Sequence, residues 1–211
     1  MHWLLGAALL AAFLAHPLPV FAQDQPYGLR GTLVGVEDQL LTVMNADEET
    51  VEVGLTGDTG VFAVMPAKWS DLRPGQFIGI TSVEVGGQRV ALEVHIFAED
   101  LRGTGEGHYP WDLTAQPNMM TNATVAEVEE VSAAERQVRL TYKEGEGQGA
   151  AQGEQLITVP DFVEVVHLAK SEDPGLLVEG RGVFALVKDS AQGPPAAIAV
   201  AVGVDGAIPP M

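Results

Sequence analysis

The chain has 211 residues, with 11 Lys or Arg against 29 Asp or Glu and a formal net charge of −18, and it contains no cysteine. The missing thiol excludes disulfides, Cys-zinc sites, c-type haem attachment and a lipobox anchor. Eleven dispersed bases cannot build a basic face, so nucleic acid and anionic membrane surfaces are excluded as partners, while cations or a basic partner would be drawn to such a field.

The N-terminal stretch MHWLLGAALLAAFLAHPLPVFAQDQ reads as a bacterial secretory signal. An apolar run from Trp3 to Ala15 leads through Pro17 and Pro19 to Val20 and Ala22, small residues that suit signal peptidase. Residues 1–22 are therefore expected to be removed after Ala22, leaving a periplasmic or secreted protein. About 20 consecutive apolar residues are needed to span a bilayer. The prolines interrupt this run, and the longest later run, Ala196 to Gly203, is strand-sized, so no span is expected after cleavage.

Beyond residue 22 the patterning has period two, the mark of strands with one buried face. Val51, Val53 and Leu55 alternate with Glu52 and Gly54. Val90, Leu92, Val94 and Ile96 alternate with Ala91, Glu93, His95 and Phe97, which predicts that Glu93 and His95 share the face opposite to Leu92, Val94 and Ile96. Val138, Leu140 and Tyr142 alternate with Arg139 and Thr141. Turn signals such as Gly86-Gly87 recur as an all-β barrel or sandwich requires. The best helical candidate is the short stretch PAKWSDL, 66–72, with Pro at its start.

The chain also repeats itself. GTLVGVEDQLLTV (31–43) matches ATVAEVEEVSAAERQVRLTY (123–142), and VFAVMP (61–66) matches VEVVHL (163–168). LRPGQFIGITSV (72–83) matches LVEGRGVFALVK (177–188), setting Gly75 opposite Gly180, and VALEV (90–94) matches AAIAV (196–200). The shared plan is three strands, a short connection and two more strands, the order of an OB-type barrel. The expected fold is therefore all-β, as two tandem small OB-like β-barrel repeats. The first spans 23–97, a long central loop spans 98–121, and a second, diverged barrel spans 122–211 with an insertion at Gly145–Gly153.

The pattern GTLVGVEDQLLTV…VEVGL…LRPGQFIGI…ALEV resembles the bacterial domains of unknown function grouped as DUF5666, small OB-like barrels of exported proteins. The match covers about residues 30–97 nearly in full and the second repeat in outline. The block EVHIF…LRGTGEGHYPWD…MTNATV resembles a subgroup that carries the label "metal ABC transporter permease". The present sequence contradicts such a label, because a permease needs several membrane spans. The resemblance implies fold and export, points faintly to metals, and supplies no activity.

The central segment gathers unusual chemistry for a linker: His108, Tyr109, Trp111, Asp112, Met119 and Met120 among glycines 103, 105 and 107. Folded back on the Glu93/His95 strand, His108 and Asp112 would complete a nitrogen and oxygen ligand set for zinc, nickel or Cu(II), with Met119 or Met120 for a softer metal. The structural alternative pairs His95 with Glu93 or Arg102 and uses Tyr109 and Trp111 to plug the seam between barrels, with the glycines serving positive φ. As aromatic anchors, Tyr109 and Trp111, with Arg102, Met119 and Met120, would instead hold an envelope protein partner or a carbohydrate.

Gly103-Thr104-Gly105-Glu106-Gly107 opens no helix within a βαβ unit and is no dinucleotide fingerprint. Asn122-Ala123-Thr124 matches a glycosylation sequon by pattern alone. No GxSxG elbow, Ser-x-x-Lys or cysteine nucleophile is present, and no catalytic residues are assigned. The expectation is a non-enzymatic exported binding module with a protein-partner or structural envelope role. The alternatives are a periplasmic transition-metal-binding protein and a carbohydrate-binding module.

Overall fold

The computed structural model describes residues 25–145 and 151–210. The expected signal segment 1–22, its expected cleavage point and the centre of the Gly145–Gly153 insertion lie outside the described residues. The protein is all-β, and among the described residues only three-residue 3₁₀ turns interrupt the strands and loops. No helix among them is long and apolar enough to cross a membrane.

The first half contributes β1 (Tyr27–Glu37), β2 (Leu40–Met44), β3 (Thr50–Gly54), β4 (Gly60–Ala67), β5 (Phe77–Val85) and β6 (Gln88–Phe97). The second contributes β8 (Asn118–Ser132), β9 (Glu135–Glu144), β10 (Ala151–Pro160), β11 (Val165–Lys170), β12 (Gly182–Lys188) and β13 (Ala196–Gly203), while β7 (Gly107–Trp111) lies between the halves. Of PAKWSDL, only Trp69–Asp71 is helical, as a single 3₁₀ turn. Pro66 and Ala67 finish β4, pairing with Val166 and Val165 of β11, and a 3₁₀ turn at Trp69–Asp71 follows, held by the Lys68 amide donating to Asp71.

Hydrogen bonding does not keep the stretches 23–97 and 122–211 apart. β1, β2 and β3 form a meander whose outer neighbours are β12 and β13, and the β13–β3 pairing closes a five-stranded circuit. β8, β9 and β10 form the equivalent meander, completed by β5 and β6 and closed by β6 against β10. Each half therefore lends its last hairpin to the other half's meander. β4 and β11 carry the chain across and pair with each other, antiparallel, from Val165↔Ala67 to Lys170↔Phe62. The hairpin turn of β5–β6 is Gly86-Gly87, both at positive φ, as a two-residue turn requires.

Each circuit closes on its own core. Leu33, Leu41, Val43, Val53, Val183 and Val187 fill the first, and Ile78, Ile80, Val94, Ile96, Val138 and Leu140 the second. Burial of each large apolar side chain contributes about 1.5–3 kcal/mol. A third cluster, including Val64, Phe77, Phe97, Val166, Leu168 and Phe184, lies outside both circuits and joins them. This explains why β12 is apolar on both sides: Val183, Ala185 and Val187 face the first core, while Phe184 faces the seam.

On β6 the strict alternation breaks. Thr81 pairs with Glu93 and Ser82 with Ala91, so Leu92 is the extra residue of a bulge. Ala91, rather than Leu92, joins Val94 and Ile96 in the core. Glu93 and His95 take the other side of β6, as expected, and that side is buried in the seam.

Candidate functional site

The seam face is built in cross-strand rows. Registers align His95 of β6 with Gly79 of β5, Gly79 with Asn122 of β8, and Asn122 with Gly107 of β7. The neighbouring row runs Glu93, Thr81, Met120, Tyr109. Opposed residues share a face, so the side chains of both rows project into the seam.

Glu93 and His95 are buried, at 2% and 1% exposure. Glu93 Oε1 accepts from the Thr81 amide at 3.0 Å and from the Thr81 hydroxyl at 2.6 Å, and Oε2 lies 3.0 Å from His95 Nδ1. A carboxylate only accepts, so Nδ1 carries the hydrogen and Nε2 is left for other partners. Nε2 has no hydrogen-bond partner among the described residues. Its edge of the ring lies over Gly79, where a Cβ would collide with both the His95 ring and Asn122 Oδ1. Phe97 packs edge-on against the ring, centroids 4.7 Å apart.

Asn122 donates Nδ2 to the Thr104 carbonyl at 3.4 Å and to the Tyr109 hydroxyl at 3.0 Å. The Thr104 carbonyl can only accept, which fixes the amide orientation. Oδ1 is then buried without a partner, and so is Trp111 Nε1. Both residues, with His95, line one cavity of about 340 Å³ at the seam. Its remaining wall is mainly apolar and aromatic, including Phe62, Phe97, Tyr109, Phe184 and Ala199. Burial pushes the Tyr109 phenol up from its ordinary value. A larger, open groove of about 720 Å³ is lined by Phe162, Ile208 and Trp69 among others, and the Nε1 of Trp69 is buried without a partner.

The stretch 98–121 is not a structureless loop. It holds a 3₁₀ turn at Glu99–Leu101, all of β7, and the start of β8. β7 is an edge strand on β8, where the Pro110 ring is tolerated. Gly103, Gly105 and Gly107 all take positive φ. β7 carries Tyr109 and Trp111 across the seam, with rings T-shaped at 6.1 Å and Trp111 6.2 Å from Phe184. Trp111 turns inward rather than presenting an exposed anchor. Its neighbour Asp112 ties the end of β7 to β1, accepting from Arg30 at 2.8 Å and from the Gly28 amide at 3.4 Å.

The ligand set Glu93, His95, His108 and Asp112 is not assembled. His108 Nδ1 lies 2.8 Å from Thr121 Oγ1, with its ring 6.1 Å from that of Tyr142. Burial lowers its pKa, Arg89 adds to that, and Glu144 opposes it. Asp112 is committed to Arg30, and no group of three or more metal-ligating side chains occurs among the described residues. Arg102 binds Glu99 and the Gly75 carbonyl rather than His95. Met120 is buried beside Thr81, its sulfur 3.8 Å from the hydroxyl, and Met119 is half-buried.

Sequence reasoning did not place Gly79, Thr81, Thr104 or Asn122 in a site. The repeat held one usable signal: the matched segments set Gly79 opposite Phe184, and only a glycine leaves room for His95 and Asn122 to meet. No family model, curated protein or solved structure matches the chain.

Proposed function

We propose that this is a non-enzymatic exported binding protein, and that it holds a small, largely apolar organic molecule in the seam cavity between its two circuits. The observation that carries this reading is the pair of orphaned buried atoms on residues lining that cavity, Trp111 Nε1 and Asn122 Oδ1. A buried polar atom without a partner costs about 1–3 kcal/mol. A ligand that donates to Asn122 Oδ1 would remove one of these penalties, and one that accepts from Trp111 Nε1 the other. The volume of about 340 Å³ is at the small end of ligand pockets, which run from roughly 300 to 1,000 Å³ and are apolar with a few placed polar groups. Export and membership of the DUF5666-like group are part of the same proposal and agree with a ligand collected outside the cytoplasm.

The test uses the protein lacking residues 1–22 and carrying Trp69→Phe, so that Trp111 is the only tryptophan. Titration with N-phenyl-1-naphthylamine, an apolar dye, should quench Trp111 emission with saturation. Ala199→Leu, which fills the cavity from β13, should abolish the saturable phase while leaving the circular dichroism spectrum unchanged. Equal quenching in the filled variant would sink the proposal.

A further inference from the structure

The two repeats contribute unequally to the cavity. In the first, Gly79, Thr81, Glu93 and His95 form one corner of the seam. The matched segments place Phe184, Leu186, Ala199 and Ala201 at the equivalent positions of the second, and all four line the same cavity. The equivalence is also structural, since Gly79 pairs with His95 as Phe184 pairs with Ala201, and Thr81 with Glu93 as Leu186 with Ala199. A ligand therefore meets His95 of β6 and Asn122 of β8 on one side and an apolar wall on β12 and β13 on the other.

Hydrogen counting defines what that corner accepts. Both donors of Thr81 are taken by Glu93, the Nδ1 hydrogen of His95 is taken by Glu93, and Asn122 Nδ2 serves Thr104 and Tyr109. What remains over Gly79 is the orphaned Asn122 Oδ1 and the Nε2 edge of the His95 ring, whose Nδ1 is engaged by Glu93. A hydroxyl brings one donor and its own lone pairs. A carboxylate brings only acceptors and meets Glu93 one hydrogen bond behind the ring. An ammonium brings three donors and no acceptor. Phe97, Tyr109 and Trp111 line the cavity, aromatic faces attract cations, and the nearby Arg30 charge is countered by Asp112 at 2.8 Å. An unpartnered ammonium would be too costly to bury, so these acceptors decide binding.

We infer that the cavity's ligand carries a primary amine, with the ammonium donating to Asn122 Oδ1 and His95 Nε2 and an apolar or aromatic body lying against β12 and β13. This rests on the reading of the seam as a ligand site.

The experiment compares three probes of one shape by calorimetry at neutral pH: 3-phenylpropylamine, butylbenzene and 4-phenylbutyrate. The amine should bind at least tenfold tighter than the hydrocarbon, and the carboxylate should not bind. Asn122→Leu should bring the amine down to the level of the hydrocarbon. Should that variant fail to fold, Asn122→Asp serves in its place and should tighten the amine several-fold while leaving butylbenzene unchanged. Equal binding of amine and hydrocarbon, or binding of the carboxylate, overturns the amine assignment and leaves the ligand-site reading standing. Binding of none of the three overturns both.

Discussion

Gly75 donates its backbone N–H to the carbonyl of Val125 at 2.8 Å, and Gly180 makes the equivalent bond to Leu33 at 2.7 Å. The return bonds, Val125 to Gln76 and Leu33 to Arg181, are 2.8 and 2.9 Å. Both glycines sit at positive φ, +89° and +87°. Each repeat's turn is thus fastened to the first strand of the other repeat, and neither meander closes without the opposite hairpin. Residues 25–102 expressed alone should give no folded monomer, and mixing with residues 103–210 should restore the strand signal in circular dichroism. Light scattering decides the matter, because a folded monomer of 25–102 would mean that β5–β6 can return to its own meander.

Gly79 is the gap that lets His95 and Asn122 approach. Gly79→Ala adds a Cβ that collides with both side chains, and overpacking of this kind costs about 1–3 kcal/mol. Most of that cost should vanish in a background already carrying His95→Ala, since the ring that must move is gone. A urea-denaturation double-mutant cycle measures the coupling, and simple additivity would refute the account.

Two carboxylates treated alike in the sequence should behave differently. Glu93 is buried against His95 and Thr81, and removing one member of such a pair costs about 3–5 kcal/mol. Asp112 and Arg30 are partly exposed, at 51% and 27%, and exposed pairs are worth about 1 kcal/mol or less. Glu93→Ala should therefore lower the denaturation midpoint severely, while Asp112→Ala barely moves it. The reverse order would show that β7, rather than the buried pair, holds the seam.

His108 supplies a pH dependence. Burial, then Arg89, hold its pKa below the ordinary 6.5, so the folded protein prefers the neutral ring. As pH falls below 6.5 the unfolded chain takes up the proton first. Stability therefore rises with pH between the folded value and 6.5, and is lost as pH falls through that window. Subtracting the stability profile of His108→Gln from that of the wild type should isolate this slope. A flat difference across the window would mean that the ring is as easily protonated folded as unfolded.

Local chemistry made much of the secondary structure readable. Val138, Leu140 and Tyr142 alternate into the core as patterned, and Gly86-Gly87 makes the expected turn. The bulge at Leu92 was hidden, because the register that creates it depends on Ser82 and Thr81 of another strand. β7 was hidden too. Its run Gly-His-Tyr-Pro-Trp has no apolar alternation, since it is an edge strand whose aromatic side chains cover a seam. Of the candidate site, the pairing of His95 with Glu93 was among the expected contacts, but Asn122 stood out only as a sequon.

By itself the sequence determined the all-β class and the internal repeat, because period-two patterning and turn residues act over a few positions. It also determined the absence of disulfides and the acidic field. Only the tertiary structure decided which hairpin completes which meander. Matched repeats present nearly equivalent edges, and nothing local distinguishes a repeat's own hairpin from its neighbour's; β4 and β11, pairing across the middle, make the choice. That same choice sets Phe184 and Ala201 of one circuit across the seam from His95 and Asn122 of the other, and so creates the cavity.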